Sequence, residues 1–159
     1  MSLALLRVDE RLIHGQVTVG WGQRLQPDRY LVVDDHLSES AWERDILALG
    51  APSGVPTEFL NVEETRARAA ALLASEEVIV LLTKDLDHML RLAREGLLAG
   101  TEVNLGGIHH ADGREEVLPY LFLNEDDRER IALLEEEGVR IVARDLPNSP
   151  RRGAEELLR

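Results

Sequence analysis

The residues of this sequence with the clearest chemical potential lie in one short stretch near its start. The stretch RVDERLIHGQV, residues 7–17, contains Asp9, Arg11 and His14, and Gly15 follows the histidine directly. A neutral imidazole is nucleophilic near pH 7, and an arginine presents a planar fork of donors to phosphate oxygens. Asp9 could orient Arg11 or accept the second imidazole N–H, which would leave the other ring nitrogen free to attack. These residue types favour a histidine that carries a phosphoryl group; a hydrogen-bonded structural histidine is the alternative.

The segment that follows His14 is predicted to be a helix, GQVTVGWGQRL, over residues 15–25. Its first N–H groups and the positive end of its dipole would point at an anion on the imidazole. Gly15 has no Cβ, so it permits an unusual backbone angle and lets a bulky tetrahedral group approach the main chain closely. Gly15 and Gln16 are therefore candidate phosphate-binding residues. Thr83, at the end of a predicted strand, is a third candidate through its hydroxyl, with a plain strand-terminal or capping role as the alternative.

The elements that must position these residues alternate between strands and helices. Short β-branched or leucine-rich runs predict strands over 3–8, 30–34, 57–62, 77–83, 101–107 and 139–145, with helical periodicity between most of them. Capping boxes are predicted at Ser40 with Glu43 and at Asn61 with Glu64. The alternation predicts an α/β fold with an open, doubly wound, mostly parallel sheet and helices on both faces.

The loop over residues 9–15 would then follow the first strand, at the sheet edge where ligands bind in such folds. The segment HHADGREEVLPYLFL, residues 109–123, departs from the alternation and could add one antiparallel strand to the sheet. Residues 146–153 are expected to lead into a short terminal helix. We expect a single domain over residues 1–159.

Composition excludes several classes of function. The sequence has no cysteine, which rules out disulfides, iron–sulfur clusters and thiol nucleophiles. Its 18 basic and 30 acidic residues give a net charge of −12, which opposes attraction to nucleic acid or anionic lipid. It contains no run of 18 apolar residues, and its first residues are too few and too quickly charged for us to expect a signal peptide. We therefore expect a cytoplasmic protein without direct membrane insertion.

Two other groups of residues invite a metal interpretation that we do not favour. Asp34 and Asp35 precede His36, but sequential residues rarely converge on one ion, and such residues are commonly caps. His109 and His110 have no second ligand cluster at a suitable spacing, so they are interpreted as loop residues near a partner surface. No metal is expected. Asp34 remains a candidate for lining the phosphoryl site.

Gly106 and Gly107 are also candidates for lining the site, because paired glycines permit a tight turn or a close approach of the backbone. Trp21, in the first predicted helix, is interpreted as core packing. The sequence also lacks a GxxxxGK[ST] phosphate loop, which fits the absence of a nucleotide that the family resemblance described below implies.

The stretch RVDERLIHGQV closely resembles the signature of the enzyme IIB subunit of the mannose/sorbose class of the bacterial sugar phosphotransferase system. Later blocks resemble that family in the same order: YLVVDD, ILALGAPSGVPTEFLNVEE, VLLTKDLDHMLRLAREG, TEVNLGG and NEDDRERIALLEEEGVRIVARDLP. The resemblance covers about 145 residues, and its first motif is specific.

The resemblance implies a protein-phosphohistidine–sugar phosphotransferase without a cofactor. A IIA protein or domain would pass phosphoryl from its own histidine to Nδ1 of His14. The group would then pass to a sugar held by the membrane subunits IIC and IID, with which this protein would associate peripherally during uptake. Asp9 and Arg11 match motif positions in the active-site loop of the family.

Two other functions stay open on the sequence. One is a regulatory phosphohistidine protein without sugar transfer, and the other is a protein of the same fold class that binds a small phosphorylated ligand. Candidate contacts for an acidic IIA surface or the membrane subunits are Arg7, Arg24, Arg29, Arg151 and Arg152.

Overall fold

The computed structural model describes residues 3–159, and nine strands lie within them. They are β1 (Leu3–Val8), β2 (Arg29–Val33), β3 (Thr57–Leu60), β4 (Ile79–Thr83), β5 (Glu102–Leu105), β6 (Glu115–Leu118), β7 (Leu121–Leu123), β8 (Arg140–Ala143) and β9 (Arg152–Gly153). A seven-stranded sheet has the order β3-β2-β4-β1-β5-β8-β9. Its neighbours pair in parallel except β8 and β9. The first strand therefore occupies the middle of the sheet.

The helices connect the strands across the sheet. The first runs from Gln16 to Leu25, with a π-helical part (Gln16–Trp21) followed by α1 (Gly22–Leu25). The others are α2 (Ala41–Ala48), α3 (Val62–Ala67), α4 (Ala69–Ala74), α5 (Leu86–Ala93), α6 (Glu125–Glu136) and α7 (Ala154–Leu157), with 3-10 turns at Leu37–Glu39 and Arg94–Gly96. Within residues 3–159, no helix combines the length and the apolar character needed to cross a membrane.

Alternate residues of the central strands feed two separate cores. In β2, Leu31 and Val33 pack in the core that α3 to α7 cover, whereas Tyr30 and Val32 pack in the core beneath the first helix. Trp21 belongs to this second core, as predicted. Burial on both faces is typical of a parallel sheet inside two helical layers. The predicted doubly wound, mostly parallel α/β architecture is confirmed.

The antiparallel strand comes from a different segment than predicted. Residues 109–123 form a separate hairpin of β6 and β7. A single bridge joins Leu121 of β7 to Ile108, which directly precedes this segment. Glu115 and Glu116 of β6 are exposed, and charged residues of this kind are unsuited to a strand buried on both faces. The antiparallel strand of the main sheet is β9, which pairs with β8.

One of the two predicted capping boxes forms. Asn61 accepts from the backbone N–H of Glu64 at 2.7 Å, and Glu64 accepts from that of Asn61 at 3.2 Å. The predicted box at Ser40 is wrong, since the Ser40 side chain makes no capping bond. Glu43 instead lies 2.5 Å from Nε2 of His36 and does not return to the Ser40 backbone.

Candidate functional site

The loop after β1 is tied to the ends of both neighbouring strands. The N–H of Asp9 donates to the Thr83 carbonyl at 2.9 Å, at the end of β4. The N–H of Glu10 donates to the Gly107 carbonyl at 2.9 Å, just beyond β5. These bonds extend the parallel ladder past the strand ends. The loop therefore begins from a fixed position at the carboxyl edge of the sheet, where open α/β sheets bind ligands.

Asp9 is the buried centre of this edge. Its Oδ2 accepts from Nε and Nη2 of Arg7 at 3.2 and 3.0 Å and from the Gly107 N–H at 3.3 Å. Its Oδ1 accepts from the Arg11 N–H at 3.1 Å. Burial alone would raise the pKa of Asp9, but contacts with His14, Arg7 and the Arg11 backbone bring the pKa below its ordinary value. Asp9 is therefore a carboxylate at neutral pH.

The His14 ring lies beside this carboxylate with one nitrogen inward. Its Nε2 is 3.2 Å from Oδ2 of Asp9, and the side chain is 9% exposed. The Nε2 atom is buried, and although the distance suits an ion pair, its direction does not satisfy hydrogen-bond geometry. A neighbouring carboxylate favours a proton on Nε2, which leaves the lone pair on Nδ1. Among the described residues, no group bonds Nδ1.

Arg7 is an internal residue, so the expectation that it contacts a partner protein is wrong. It is fully buried. Its Nη1 donates to the carbonyl of Arg144 at 2.9 Å and contacts the Asn104 side chain, and its Nη2 donates to the carbonyl of Asp145 at 3.2 Å. Its Cζ also lies 5.6 Å from the centre of the Trp21 ring. A buried guanidinium needs a counter-charge, and Asp9 supplies it.

The other four arginines singled out in the sequence contact polar partners outside the loop over residues 9–15. Arg24 bonds Asn148, Arg29 pairs with Glu58 and Glu77, Arg151 pairs with Glu102, and Arg152 pairs with Glu156. Exposed pairs of this kind contribute little to stability.

The backbone at Gly106 lies close to the side chains of Arg7 and Asp9, as expected from the paired glycines. A Cβ on this residue would lie 2.5 Å from Oδ2 of Asp9 and closer still to the guanidinium of Arg7. At Gly107, a Cβ would meet His109 Nε2 at 3.4 Å and Oδ1 of Asp9 at 3.5 Å, which are ordinary contacts. Gly106 is thus required by the buried Arg7–Asp9 pair.

The unusual backbone angle of the loop is found at Leu12. Gly15 has φ −54° and ψ −41°, ordinary right-handed values, so it does not use the backbone freedom that glycine permits. Leu12 instead has φ +56° while its side chain is buried, and the loop turns there. A Cβ on Gly15 would meet nothing within 4 Å, which leaves open space above it. The N–H groups of Gly15 and Gln16 have no acceptor among the described residues.

Arg11 and Thr83 differ in their availability to a ligand. The Arg11 side chain is exposed, and within residues 3–159 its guanidinium has no hydrogen-bond or ion-pair partner. Thr83 is fully buried, and its hydroxyl donates to the Asp85 carbonyl at 2.9 Å. Since this bond uses the only hydroxyl proton, the expectation that Thr83 donates to a phosphoryl group is corrected to a strand-terminal role.

Asp34 belongs to a second cluster rather than to the His14 loop. Its Oδ2 accepts from the Leu37 N–H at 2.9 Å, and its Oδ1 lies 3.6 Å from Nε2 of His88 and 3.9 Å from Nζ of Lys84. Across residues 3–159, Asp34 forms no hydrogen bond or ion pair with residues 9–16. In the same part of the chain, no three His, Cys, Asp or Glu side chains are arranged to hold a metal ion.

The sequence interpretation missed a cluster at the other side of the loop. Oε2 of Glu10 lies 2.8 Å from Nδ1 of His109 and accepts from the His109 backbone N–H at 3.1 Å. Oε1 of Glu10 accepts from Nη1 of Arg114 at 2.9 Å. His110 points elsewhere and packs edge to face with Phe122 at 5.7 Å. A signal was available: Glu10 lies in the same motif as His14, and two histidines follow the glycine pair.

Comparison with known proteins identifies a family with this architecture. The family model described as the PTS system sorbose subfamily IIB component matches residues 3–159. The chain is 31% identical over 152 residues to the PTS system mannose-specific EIIAB component of Escherichia coli, covering 95% of this chain and 46% of that protein. It thus spans about half the length of that relative.

Two comparisons with sorbose-system proteins of Klebsiella pneumoniae indicate the same family. Its PTS system sorbose-specific EIIB component is 26% identical over 150 residues, covering 94% of this chain and 91% of that protein. The solved IIB domain of the sorbose permease from that organism superposes with a TM-score of 0.86 at 25% identity, covering 99% of this chain and 96% of that one. The chain belongs to the sorbose subfamily of IIB components of the PTS, the sugar phosphotransferase system.

Proposed function

We propose that this protein carries a phosphoryl group on Nδ1 of His14, between a IIA protein and a sugar bound by the membrane subunits IIC and IID. The observation that supports this most directly is the placement of the His14 ring. Nε2 faces the Asp9 carboxylate at 3.2 Å, and Nδ1 has no partner among the described residues. This is the arrangement that a nitrogen nucleophile requires. Membership of the IIB family supplies the direction of transfer.

In the first step, the lone pair of His14 Nδ1 attacks the phosphorus on the histidine of IIA. The new N–P bond forms as the donor N–P bond breaks, and the donor ring keeps the electron pair. The His14 ring gains positive character, which the Asp9 carboxylate stabilises. Arg7 holds that carboxylate in place through two hydrogen bonds. No proton has to leave Nδ1, because the tautomer carries its proton on Nε2.

The phosphoryl oxygens would meet donors on the outer side of the ring. The N–H groups of Gly15 and Gln16 begin the first helix without an internal acceptor, and Arg11 has a free guanidinium. Such groups stabilise the charge of a transferring phosphoryl group in preformed positions. Gly15 leaves open space for a tetrahedral group.

In the second step, a sugar hydroxyl oxygen attacks the phosphorus and the His14 N–P bond breaks. The electron pair returns to Nδ1, the hydroxyl proton is released from the sugar oxygen, and His14 leaves as a neutral imidazole with its proton still on Nε2. The protein would thus act at the cytoplasmic face of a permease, associated peripherally with IIC and IID.

The test is transfer of labelled phosphoryl from phosphoenolpyruvate through the general phosphotransferase proteins and a mannose-class IIA. We expect acid-labile, alkali-stable label on the wild type and on the control His36→Ala, whose ring is 69% exposed. We expect no label on His14→Ala, and its unfolding, followed by circular dichroism, should match that of the wild type. Equal labelling of His14→Ala would overturn the proposal.

A further inference from the structure

We propose that His109, oriented by Glu10, is the base that accepts the hydroxyl proton of the sugar in the second transfer step. The proposal rests on the proposed function, because it concerns the acceptor of the phosphoryl group that His14 carries. The second step releases a proton from the attacking hydroxyl, and the His14 ring does not need it. The step therefore requires a proton acceptor near the phosphoryl group.

Glu10 fixes the tautomer of His109. Its Oε2 lies 2.8 Å from Nδ1 and also accepts from the His109 backbone N–H at 3.1 Å. A carboxylate at Nδ1 favours a proton on that nitrogen, which leaves the lone pair on Nε2. Among the described residues, no group bonds Nε2, and the side chain is 53% exposed. A carboxylate–imidazole pair with a free, accessible nitrogen is the arrangement of a general base.

Glu10 is itself held in position from two sides. Its backbone N–H donates to the Gly107 carbonyl at 2.9 Å, and its Oε1 accepts from Arg114 Nη1 at 2.9 Å. Arg114 also donates to the His109 carbonyl at 3.0 Å and to Oδ2 of Asp127 at 3.2 Å. The charged groups that face the His109 ring are thus Glu10 and Arg114, with Asp127 behind the arginine and Asp9 across Gly107.

Gly107 lies between Nε2 of His109 and Asp9, the carboxylate that faces the His14 ring. Nε2 of His109 and Oδ1 of Asp9 lie 3.4 and 3.5 Å from the position that a Gly107 Cβ would occupy. The Gly107 N–H donates to Oδ2 of Asp9, which lies 3.2 Å from His14 Nε2. Asp9 is thus close to both histidines, and Gly107, which has no side chain, lies between it and Nε2 of His109.

The balance of the step is complete with these groups. The O–P bond forms, the His14 N–P bond breaks with its electron pair returning to Nδ1, and the hydroxyl proton moves to Nε2 of His109. The resulting imidazolium is paired with the Glu10 carboxylate and then loses its proton to water. The first step releases no proton, so it has no use for His109.

The experiment separates the two steps. Labelled phosphoprotein is prepared with a mannose-class IIA and mixed with vesicles that contain IIC and IID of the mannose or sorbose system and the matching sugar. For His109→Asn, whose amide can still donate to Glu10, we expect labelling of His14 within about twofold of wild type. We expect the transfer to sugar to fall by about 100-fold, the lower range of general-base effects.

Matched control variants identify the cause. His110 packs edge to face with Phe122, so the control His110→Asn should carry out both transfer steps at the wild-type rate. Glu10→Gln should lower the sugar step and leave the labelling step intact.

Three outcomes overturn the inference in different ways. Equal losses in both steps for His109→Asn would indicate a structural role. An unchanged sugar step would show that another group accepts the proton while the proposed function stands. A wild-type protein that takes no label, or passes none to mannose or sorbose, would overturn the proposed function and this inference with it.

Discussion

His14 and His88 each meet a carboxylate close to the carboxyl end of a parallel strand, and of this pair only His14 has a nitrogen without a partner among the described residues. His14 follows β1, and its Nε2 lies 3.2 Å from Asp9. His88 lies in α5 after β4, and its Nδ1 lies 2.8 Å from Asp85. Nε2 of His88 accepts from the Asp35 N–H at 3.2 Å, whereas Nδ1 of His14 has no partner among the described residues.

The difference shows that a neighbouring carboxylate does not by itself leave a histidine nitrogen free to react. Asp85 caps α5 by accepting from the His88 N–H at 2.8 Å, and the same oxygen holds the ring. His88 is thereby committed to joining α5 to the end of β2. The carboxylate of Asp9 lies beside one nitrogen of His14, and the other nitrogen has no partner among the described residues.

The largest effect is expected from removing the charge of Asp9. Asp9→Asn leaves Arg7 buried without a counter-charge, and breaking such a pair typically costs about 3–5 kcal/mol. We expect the free energy of unfolding in urea to fall by this amount and the labelling of His14 to be lost. Asp85→Asn, at the half-exposed partner of His88, should label normally. Equal behaviour of the two variants would remove the distinction between the two histidines.

A smaller loss is expected from Gly106→Ala. The added methyl group would press on Oδ2 of Asp9 and on the guanidinium of Arg7, and overpacking of this kind costs about 1–3 kcal/mol. Thermal unfolding measures it. Gly15→Ala is the matched control, since its Cβ would meet nothing within 4 Å, and its unfolding should stay at the wild-type temperature. A destabilised Gly15→Ala would show that the loop above His14 is as tightly packed as its base.

A change in rate without a change in stability is expected from Arg11→Lys. The side chain is exposed and has no partner within residues 3–159, so unfolding should not shift. A lysine cannot reproduce the two parallel bonds of a guanidinium, and we expect the labelling rate of His14 to fall about 10-fold. Arg24→Lys, whose partner is Asn148, should label at the wild-type rate. An unchanged rate for Arg11→Lys would remove it from the site.

The smallest effect concerns the dependence of stability on pH at His88. The hydrogen bond to Asp85 is the main cause that raises the pKa of His88 above its ordinary value of 6.5. A raised pKa in the folded state stabilises the protein fully below the unfolded pKa, and the contribution is lost as pH rises through the folded pKa. Asp85→Asn should lower the pKa of His88 in an NMR titration and flatten this part of the stability profile. Asp87→Asn, which directly precedes His88 but is not among the groups that raise its pKa, should leave both unchanged.

Local patterns predicted much of the fold and the centre of the site. Buried runs predicted the six main strands to within a few residues, because strands buried on both faces are continuous in sequence. Asp9, Arg11 and His14 lie within one loop, so their spacing alone brings them together. The prediction of His14 as the phosphoryl carrier remains to be tested by labelling.

The partners of the site could not be predicted in the same way, because they come from distant parts of the chain. Asn104 is 97 residues from Arg7, and Arg114 is 104 residues from Glu10. Their meeting depends on β5 lying beside β1, which no local pattern specifies. One signal was available at Arg7: a charged residue in the middle of an otherwise apolar strand has to be paired or at the surface. The π-helical winding of residues 16–21 has no recognisable signal in the sequence.

The contact of Gly106 with Arg7 has a consequence for the divergence of related proteins. The space that a side chain at position 106 would fill is occupied by the guanidinium of Arg7 and the carboxylate of Asp9. In a relative with a small neutral residue in place of Arg7, position 106 would no longer have to be glycine. The carboxylate at position 9 would also lose its counter-charge. Substitutions at positions 7, 9 and 106 are therefore expected to occur together in related sequences.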